Sequence, residues 1–428
     1  MIFKYKHSIP TPYANYSGDA VPGRQINTLA RHFYLRFTIR ALIYSFLFLP
    51  MFGLQVTGTF SLSFSLIFIY ILIAILILNN LVKFNYPNIF FLVLLYFSGI
   101  FAILSSNHWA VSLPSYSLLL VLYFPFFFRM RQTQVAAEAY SLAIGCFLSA
   151  SRVLAVIGIV QFAAQFLIRS PFIFDISPLF PQFLLTTGNF NTVIDAGGFF
   201  KANGLFQREP SGLSGWMAIA IIVEYANRRR IWNLALYSAA ILCSFSGTGM
   251  LILLFAYLLP MNLKDLLRGI FFLLVGSLVF LIVDTYLVDG YFSGRATEFA
   301  RVGTSAYARF VAPMQVVLGG MQSTDTLIFG NGPGTYRPSV SVLSAPWEIH
   351  DPTWAKLIFE YGLVGTFSAF GFMIAALSSA RGPVELKVGY FYAWLASGGQ
   401  LLAQNFLASI FILLALWSMG KRGRVHDR

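Results

Sequence analysis

Solid apolar runs constrain this chain more than any other feature. Ser65 to Leu78 reads SLIFIYILIAILIL, with no polar residue alternating through it. A strand in a membrane barrel alternates apolar and polar positions, so runs of this kind build helices. Only 11% of the residues are charged and 57% are hydrophobic, whereas a soluble domain carries about 25% charged residues. Too few polar side chains remain to cover a water-facing surface. Lipid must solvate much of the chain, and in lipid only helices and closed barrels satisfy their own backbone groups. The fold class expected is an all-α polytopic membrane protein.

A span needs about twenty apolar residues. On that criterion the sequence predicts about twelve helices, near 37–54, 61–80, 88–104, 113–128, 138–167, 211–227, 231–246, 248–260, 267–288, 353–377, 388–402 and 404–419. Only small or amide residues mark the breaks at 246–248 and 402–404. Basic residues test the count independently. Lys83, Arg129 and Arg131, Arg228 to Arg230, Lys264 and Arg268, Arg381 and Lys387, and the terminal Lys421, Arg422 and Arg424 fall on alternate connections. Twelve spans place them all on one side, which the positive-inside rule makes cytoplasmic. Residues 1–36 then form a cytoplasmic tail with a basic interfacial segment (Arg24, Arg31, Arg36, with Arg40 following), suited to anionic headgroups. Residues 37–419 form the helical domain, and 420–428 a basic cytoplasmic tail. This arrangement accounts for the net charge of +13. No basic cluster sits beside a readable domain, so nucleic acid is not an expected partner. Cys146 and Cys243 both fall inside apolar segments, which argues against a disulfide framework or a cysteine metal site.

Two connections are long, 169–210 and 289–352, and both lie on the non-cytoplasmic side. Connections beyond about 12–15 residues are usually functional. The first ends in KANGLFQREPS, Lys201 to Ser211. Pro210 suits the first turn of a helix, and the free amides there, with Lys201 and Arg208 beside them, suit a phosphate. A plain turn and cap explains the same residues. The second connection holds Arg295, Arg301, Arg309 and Arg337 among Asp289, Glu298, Asp325, Glu348 and Asp351. Outer connections are normally poor in arginine. Guanidinium groups grip phosphate with forked hydrogen bonds, although pairing with these carboxylates is the other available role. Arg309 stands apart, in an apolar run with Phe310, Val311 and Met314. Next comes LIFGNGPGTY (Leu327 to Tyr336), a glycine-rich turn that is either a connector or a presenter of amides. His350-Asp351-Pro352-Thr353 then opens the tenth span. Histidine accepts a proton near neutral pH, which suits activation of a hydroxyl; a helix cap is the alternative. Arg152 lies mid-span, where a charge is a functional hypothesis by default, while Glu224 and Asp284 lie near span ends and read as structural. His108, beside Trp109, reads as interfacial. No zinc-ligand spacing, Walker loop or Asp-x-Asp pair occurs, so neither metal nor nucleotide cofactor is expected.

These segments resemble those of the O-antigen ligase and Wzy-type polysaccharide polymerase superfamily. KANGLFQREPS is similar to that family's basic-x-x-Gly-Leu-Phe-x-x-Pro-Ser/Asn segment. Arg309 followed by LIFGNGPGTY resembles its arginine, spacer and Gly-x-Gly-x-Gly segment, and HDPTWAKLIFEYGLVG resembles its His-Asn-x-x-Leu…Glu-x-Gly-Leu-x-Gly segment. CSFSGTGML resembles the Ser-Arg-Thr-Gly crossing without its arginine. Lys201 stands where arginine is usual, and Asp351 where asparagine is usual. The resemblance covers about residues 200–365. It implies a GT-C-like fold in the bacterial inner membrane and metal-independent transfer of glycan from undecaprenyl pyrophosphate. It makes His350 the base and Arg309, Lys201, Arg208 and Arg301 the pyrophosphate ligands; Glu209, Arg337 and the mid-span Arg152 are further candidates for support. The implied partners are the lipid-linked oligosaccharide, membrane lipid and a chain-length regulator or export complex. Polymerisation of repeat units is the first reading and ligation to a lipid or other acceptor the second. A lipid-linked glycan flippase would instead carry polar residues deep in many spans and short outer connections.

Overall fold

The computed structural model describes residues 25–57, 60–106, 108–168, 170–186, 193, 198–260, 300–302, 304, 307–342 and 349–417. The expected span near 267–288 with Asp284, the two tails beyond those limits, and Asp289, Arg295, Glu298 and Glu348 lie outside the described residues.

The chain is mostly helical. In order come α1 (Gln25–Phe48), a hairpin of β1 (Gly53–Thr57) and β2 (Phe60–Ser63), α2 (Phe64–Leu78), β3 (Val82–Phe84), α3 (Tyr86–Ser105), α4 (Leu113–Tyr123), β4 (Phe128–Met130) and α5 (Gln134–Ala164). Then follow α6 (Pro210–Asn227), α7 (Ile231–Ser244), α8 (Gly247–Leu258), α9 (Ala312–Gly320), α10 (Thr324–Phe329), α11 (Tyr336–Val342), α12 (Thr353–Ser378), α13 (Val384–Ala396) and α14 (Gln404–Ile410), which runs into a wider π-helical turn at Phe411–Ala415. Hydroxyl side chains start several helices: Ser63, Ser112 and Thr133 accept the amides of Leu66, Ser115 and Ala136.

Three of the described helices, α3, α5 and α12, are long and apolar enough to cross a membrane. α3 buries Leu92, Leu95 and Ala102 yet exposes Phe90, Phe97, Phe101 and Leu104. A helix apolar all round with only 33% of its most apolar stretch buried is built for a lipid surround. α12 lies along α3, α6 contacts both α7 and α8, and α1 contacts α2 and α5.

Several boundaries differ from the sequence expectation for local reasons. α1 begins at Gln25 rather than near 37, and stops at Phe48 because Pro50 and Gly53 follow. Residues 53–57 and 60–63, expected as the ends of two spans and part of the connection between them, pair as antiparallel strands. A second pair joins β3 to β4. α13 ends at Ala396 because Gly399 turns left-handed, with φ +73°. Both weakly marked breaks are present, the first at Phe245 with φ +45°. The described part of the second long connection folds into α9, α10, α11 and a π-helical turn at Tyr307–Val311.

α12 carries the feature that positions the site. Its helix is interrupted at Gly362, with φ +61°. In an unbroken helix the carbonyls of Phe359 and Glu360 would bond amides four residues on. Here they accept the amides of Asn331 (2.8 Å) and Gly332 (3.0 Å) from the glycine-rich turn. The side-chain carboxylate of Glu360 accepts the amide of Tyr336 at 3.3 Å. Turn and helix interlock so closely that a Cβ on Gly330 would stand 2.5 Å from the Glu360 carbonyl, and one on Gly362 would collide with the carbonyl of Ile328. Gly330 also has φ +84°. Gly330→Ala and Gly362→Ala should therefore each cost roughly 2–4 kcal/mol, the range of combined backbone strain and overpacking. Thermal unfolding of the purified protein in detergent checks this. Gly319→Ala in α9, which meets open space, should be neutral or slightly stabilising.

Candidate active site

The segment that leads into α6 is strapped down by Gln161 of α5 and by Gln165, which caps that helix. Gln161 Oε1 accepts the amides of Asn203 (3.0 Å) and Gly204 (2.9 Å), while its Nε2 donates to Asn203 Oδ1 (2.8 Å) and to the Ile173 carbonyl (2.9 Å). Gln165, one turn on, exchanges bonds with both backbone groups of Phe200. Asn203 Nδ2 donates to the Phe174 carbonyl at 2.8 Å. Gln207 reaches the other way, donating to the Leu47 carbonyl of α1 at 2.7 Å and accepting from Trp216 Nε1 at 3.1 Å. The glutamines thus satisfy buried backbone that has no regular partner. They also fix where the next residues point.

Glu209 follows, just before α6, and its Oε2 accepts from Ser211 Oγ at 3.0 Å. Arg309, on the π-helical turn before α9, brings Nη2 to 3.7 Å from that oxygen, and its Nη1 donates to Thr248 Oγ1 at 3.4 Å. Thr248 belongs to the small-residue crossing at the start of α8, where Ser214 accepts the Gly249 amide at 2.9 Å and donates to the Ser246 carbonyl.

His350 is placed by its backbone. Its amide donates to the carbonyl of Ala308, next to Arg309, at 3.0 Å. Its carbonyl accepts from Tyr336 Oη at 3.0 Å, and the Tyr336 ring is fully buried edge-on against Phe359. The imidazole lies against Gly398, where a Cβ would come within 3.3 Å of Nδ1. Pro352 bridges to Gly398 and Gly399 donates to the Asp351 carbonyl. Asp351, buried, sits 3.5 Å from both Lys356 Nζ and Arg337 Nε, and Lys356 Nζ is 4.0 Å from Glu360.

These pieces meet at a cavity of about 580 Å³. Glu209, Thr248, Arg309, His350 and Gln400 are among its polar lining; Phe46, Trp216, Ile252 and Phe406 are among its apolar lining. A guanidinium, a carboxylate and an imidazole therefore share one largely apolar chamber, though they are far apart in sequence. Lys201 (half-buried), Arg208 and Arg301 (both exposed), Arg337 and Arg152 (half-buried on α5) do not line it. Arg337 is committed to Asp351. The amides of Asn331 and Gly332 in the glycine-rich turn are spent on α12. His108 is a joint rather than a cavity residue: Nδ1 accepts from Ala110, Nε2 contacts Ser339 Oγ at 3.1 Å, and burial lowers its pKa from the ordinary histidine value.

Sequence reasoning passed over Gln161, Gln165, Thr248, Lys356 and Gln400. The two glutamines did carry a signal, since paired amides one turn apart in an apolar helix need partners. Thr248 lay at a helix break marked only by small residues, and nothing local marked Gln400.

No protein-family model matches the chain, and no curated protein matches it significantly.

Replacing Gln161 with methionine keeps the volume but leaves two buried amides without acceptors. Each such loss costs about 1–3 kcal/mol, so Gln161→Met should lower the melting temperature and loosen residues 201–208. Limited trypsin digestion, reading cleavage after Lys201 and Arg208, should proceed faster than in the wild type.

Proposed function

We propose that the chain is a membrane glycosyltransferase that joins oligosaccharide repeat units carried on undecaprenyl pyrophosphate, on the non-cytoplasmic side of a bacterial inner membrane. In this reading twelve spans place both termini in the cytoplasm and open the cavity outward. The observation that carries it is the meeting of Arg309, Glu209 and His350 in one apolar-walled cavity. A diphosphate linked to a polyprenyl chain needs both parts of that combination, fixed positive charge and an oily surround.

The acceptor hydroxyl attacks the anomeric carbon of the donor sugar, and the carbon–oxygen bond to the diphosphate breaks with its electron pair. The hydroxyl proton passes to His350. Arg309 stabilises the charge that develops on the leaving diphosphate, which a fixed guanidinium in a low-dielectric site does at little reorganisation cost. Thr248 steadies the guanidinium from the side. The bond from the His350 amide to Ala308 holds imidazole and guanidinium in a fixed register, as a reaction between two bound sugars requires. Ligation of glycan to a lipid or other acceptor would use the same donor groups and differ only in the acceptor.

Polymer yield from purified protein and lipid-linked oligosaccharide, read as a gel ladder at equal protein level, tests both roles. Arg309→Lys should lose about a hundredfold, on the order of 3 kcal/mol, because an ammonium lacks the forked geometry. His350→Ala and His350→Asn should both fold and both lose roughly 10² to 10⁴ in rate. If the His350 side chain serves only as a hydrogen-bonding group for neighbouring structure, His350→Asn keeps near-normal activity while His350→Ala loses stability. Near-normal polymer from Arg309→Lys would remove that residue from the site.

A further inference from the structure

We infer that Glu209 is an internal counter-anion that yields Arg309 to the donor diphosphate and reclaims it afterwards, so driving off the lipid diphosphate product. The inference rests on the proposed transfer reaction. It begins from an arrangement that a simple phosphate site would avoid: a carboxylate in the same wall as the guanidinium meant for a polyanion. Glu209 Oε2 stands 3.7 Å from Arg309 Nη2, and the two side chains keep 30% and 24% of their surface exposed. Both line the cavity. An ion pair this long and this open contributes little stability, so it is a weak clamp on the guanidinium and easily exchanged. Ser211 donates to the same carboxylate oxygen and keeps Glu209 at the start of α6 when Arg309 is engaged elsewhere.

The chemistry gives such a group a purpose. The donor diphosphate is substituted at both ends, by sugar and by lipid. When the sugar bond breaks, the terminal phosphate becomes a monoester that takes on further negative charge near neutral pH. The product therefore binds a fixed cation more tightly than the substrate did, and a site with Arg309 alone would be blocked by its own product. A carboxylate that competes for Arg309 offsets this. His350 also lines the cavity, and a proton gained from the acceptor adds to its attraction for the product until released. The opposing role is that Glu209 merely orients Arg309, which predicts unchanged or weaker, not tighter, diphosphate binding in the Glu209 variants.

The full-length protein in lipid nanodiscs would be titrated with farnesyl diphosphate, and the same compound used as inhibitor of polymer formation, at fixed ionic strength. The wild type should bind, and Arg309→Gln should weaken binding about tenfold or more. Glu209→Gln should tighten binding and lower the inhibition constant by about tenfold. Its KM for the lipid-linked donor and its kcat should both fall. Glu209→Ala should move the same way, with an unchanged melting temperature showing that both variants fold. If Arg309→Gln weakens binding while both Glu209 variants leave it unchanged or weaken it, the counter-anion role is overturned and the transfer reading stands. If Arg309→Gln binds as well as the wild type, the diphosphate reading fails and the role of Glu209 fails with it.

Discussion

The break in α12 at Gly362 is the constraint on which the arrangement around His350 depends. A helix in an apolar body cannot leave carbonyls unpaired, and the kink releases those of Phe359 and Glu360. The glycine-rich turn supplies Asn331 and Gly332 amides to them. Once that turn is docked, Tyr336 follows immediately, its amide on the Glu360 carboxylate and its hydroxyl on the His350 carbonyl. His350 in turn reaches Ala308 and so sets Arg309. A backbone irregularity in one helix thus fixes a guanidinium and an imidazole through a continuous set of hydrogen bonds, each of which needs the previous one.

The first long connection solves the same problem with side chains. Near α6 the Ala202 amide reaches the Cys243 carbonyl of α7, while Gln161 of α5 and Gln165 at its C-terminal cap pair the backbone of Phe200, Asn203 and Gly204. Gln161 acts from within an apolar helix, a position where an amide is unfavourable unless fully used. Gln161 uses both its oxygen and its nitrogen on Asn203 and its neighbours. Cys146 and Cys243 are both free, so among the described residues the connection is held by hydrogen bonds and packing.

Periodicity and apolar length made the helical class and most described helices legible, because these depend on local composition. The start of α1, the 53–63 hairpin and the early end of α13 were not, since each turns on one or two residues that break a helix at a point only the fold selects. The same division applies to the cavity. Arg309 and His350 stood out because a cation in an apolar run and a histidine at a helix mouth are locally unusual. Lys201, Arg208 and Arg301 were also expected at the pyrophosphate, yet they lie off the cavity wall, because sequence marks a charge without showing which way its segment is turned. Thr248 was invisible for the converse reason: its role comes from Arg309 crossing to it from 61 positions away.

The charges near His350 divide into two sets of different physical character. Asp351, Lys356 and Glu360 are buried, and with the exposed Arg337 they balance two acids against two bases. Removing one partner from a buried set costs about 3–5 kcal/mol because the remaining charge is stranded, so these groups cannot exchange partners during a reaction and serve as framework. Arg309 and Glu209 differ on both counts. They are partly open and line the cavity. An incoming anion can replace Glu209 at Arg309 without uncovering a buried charge. The framework set can therefore stay intact while the open pair changes partners, and the rigidity of the first is what lets the second be loose.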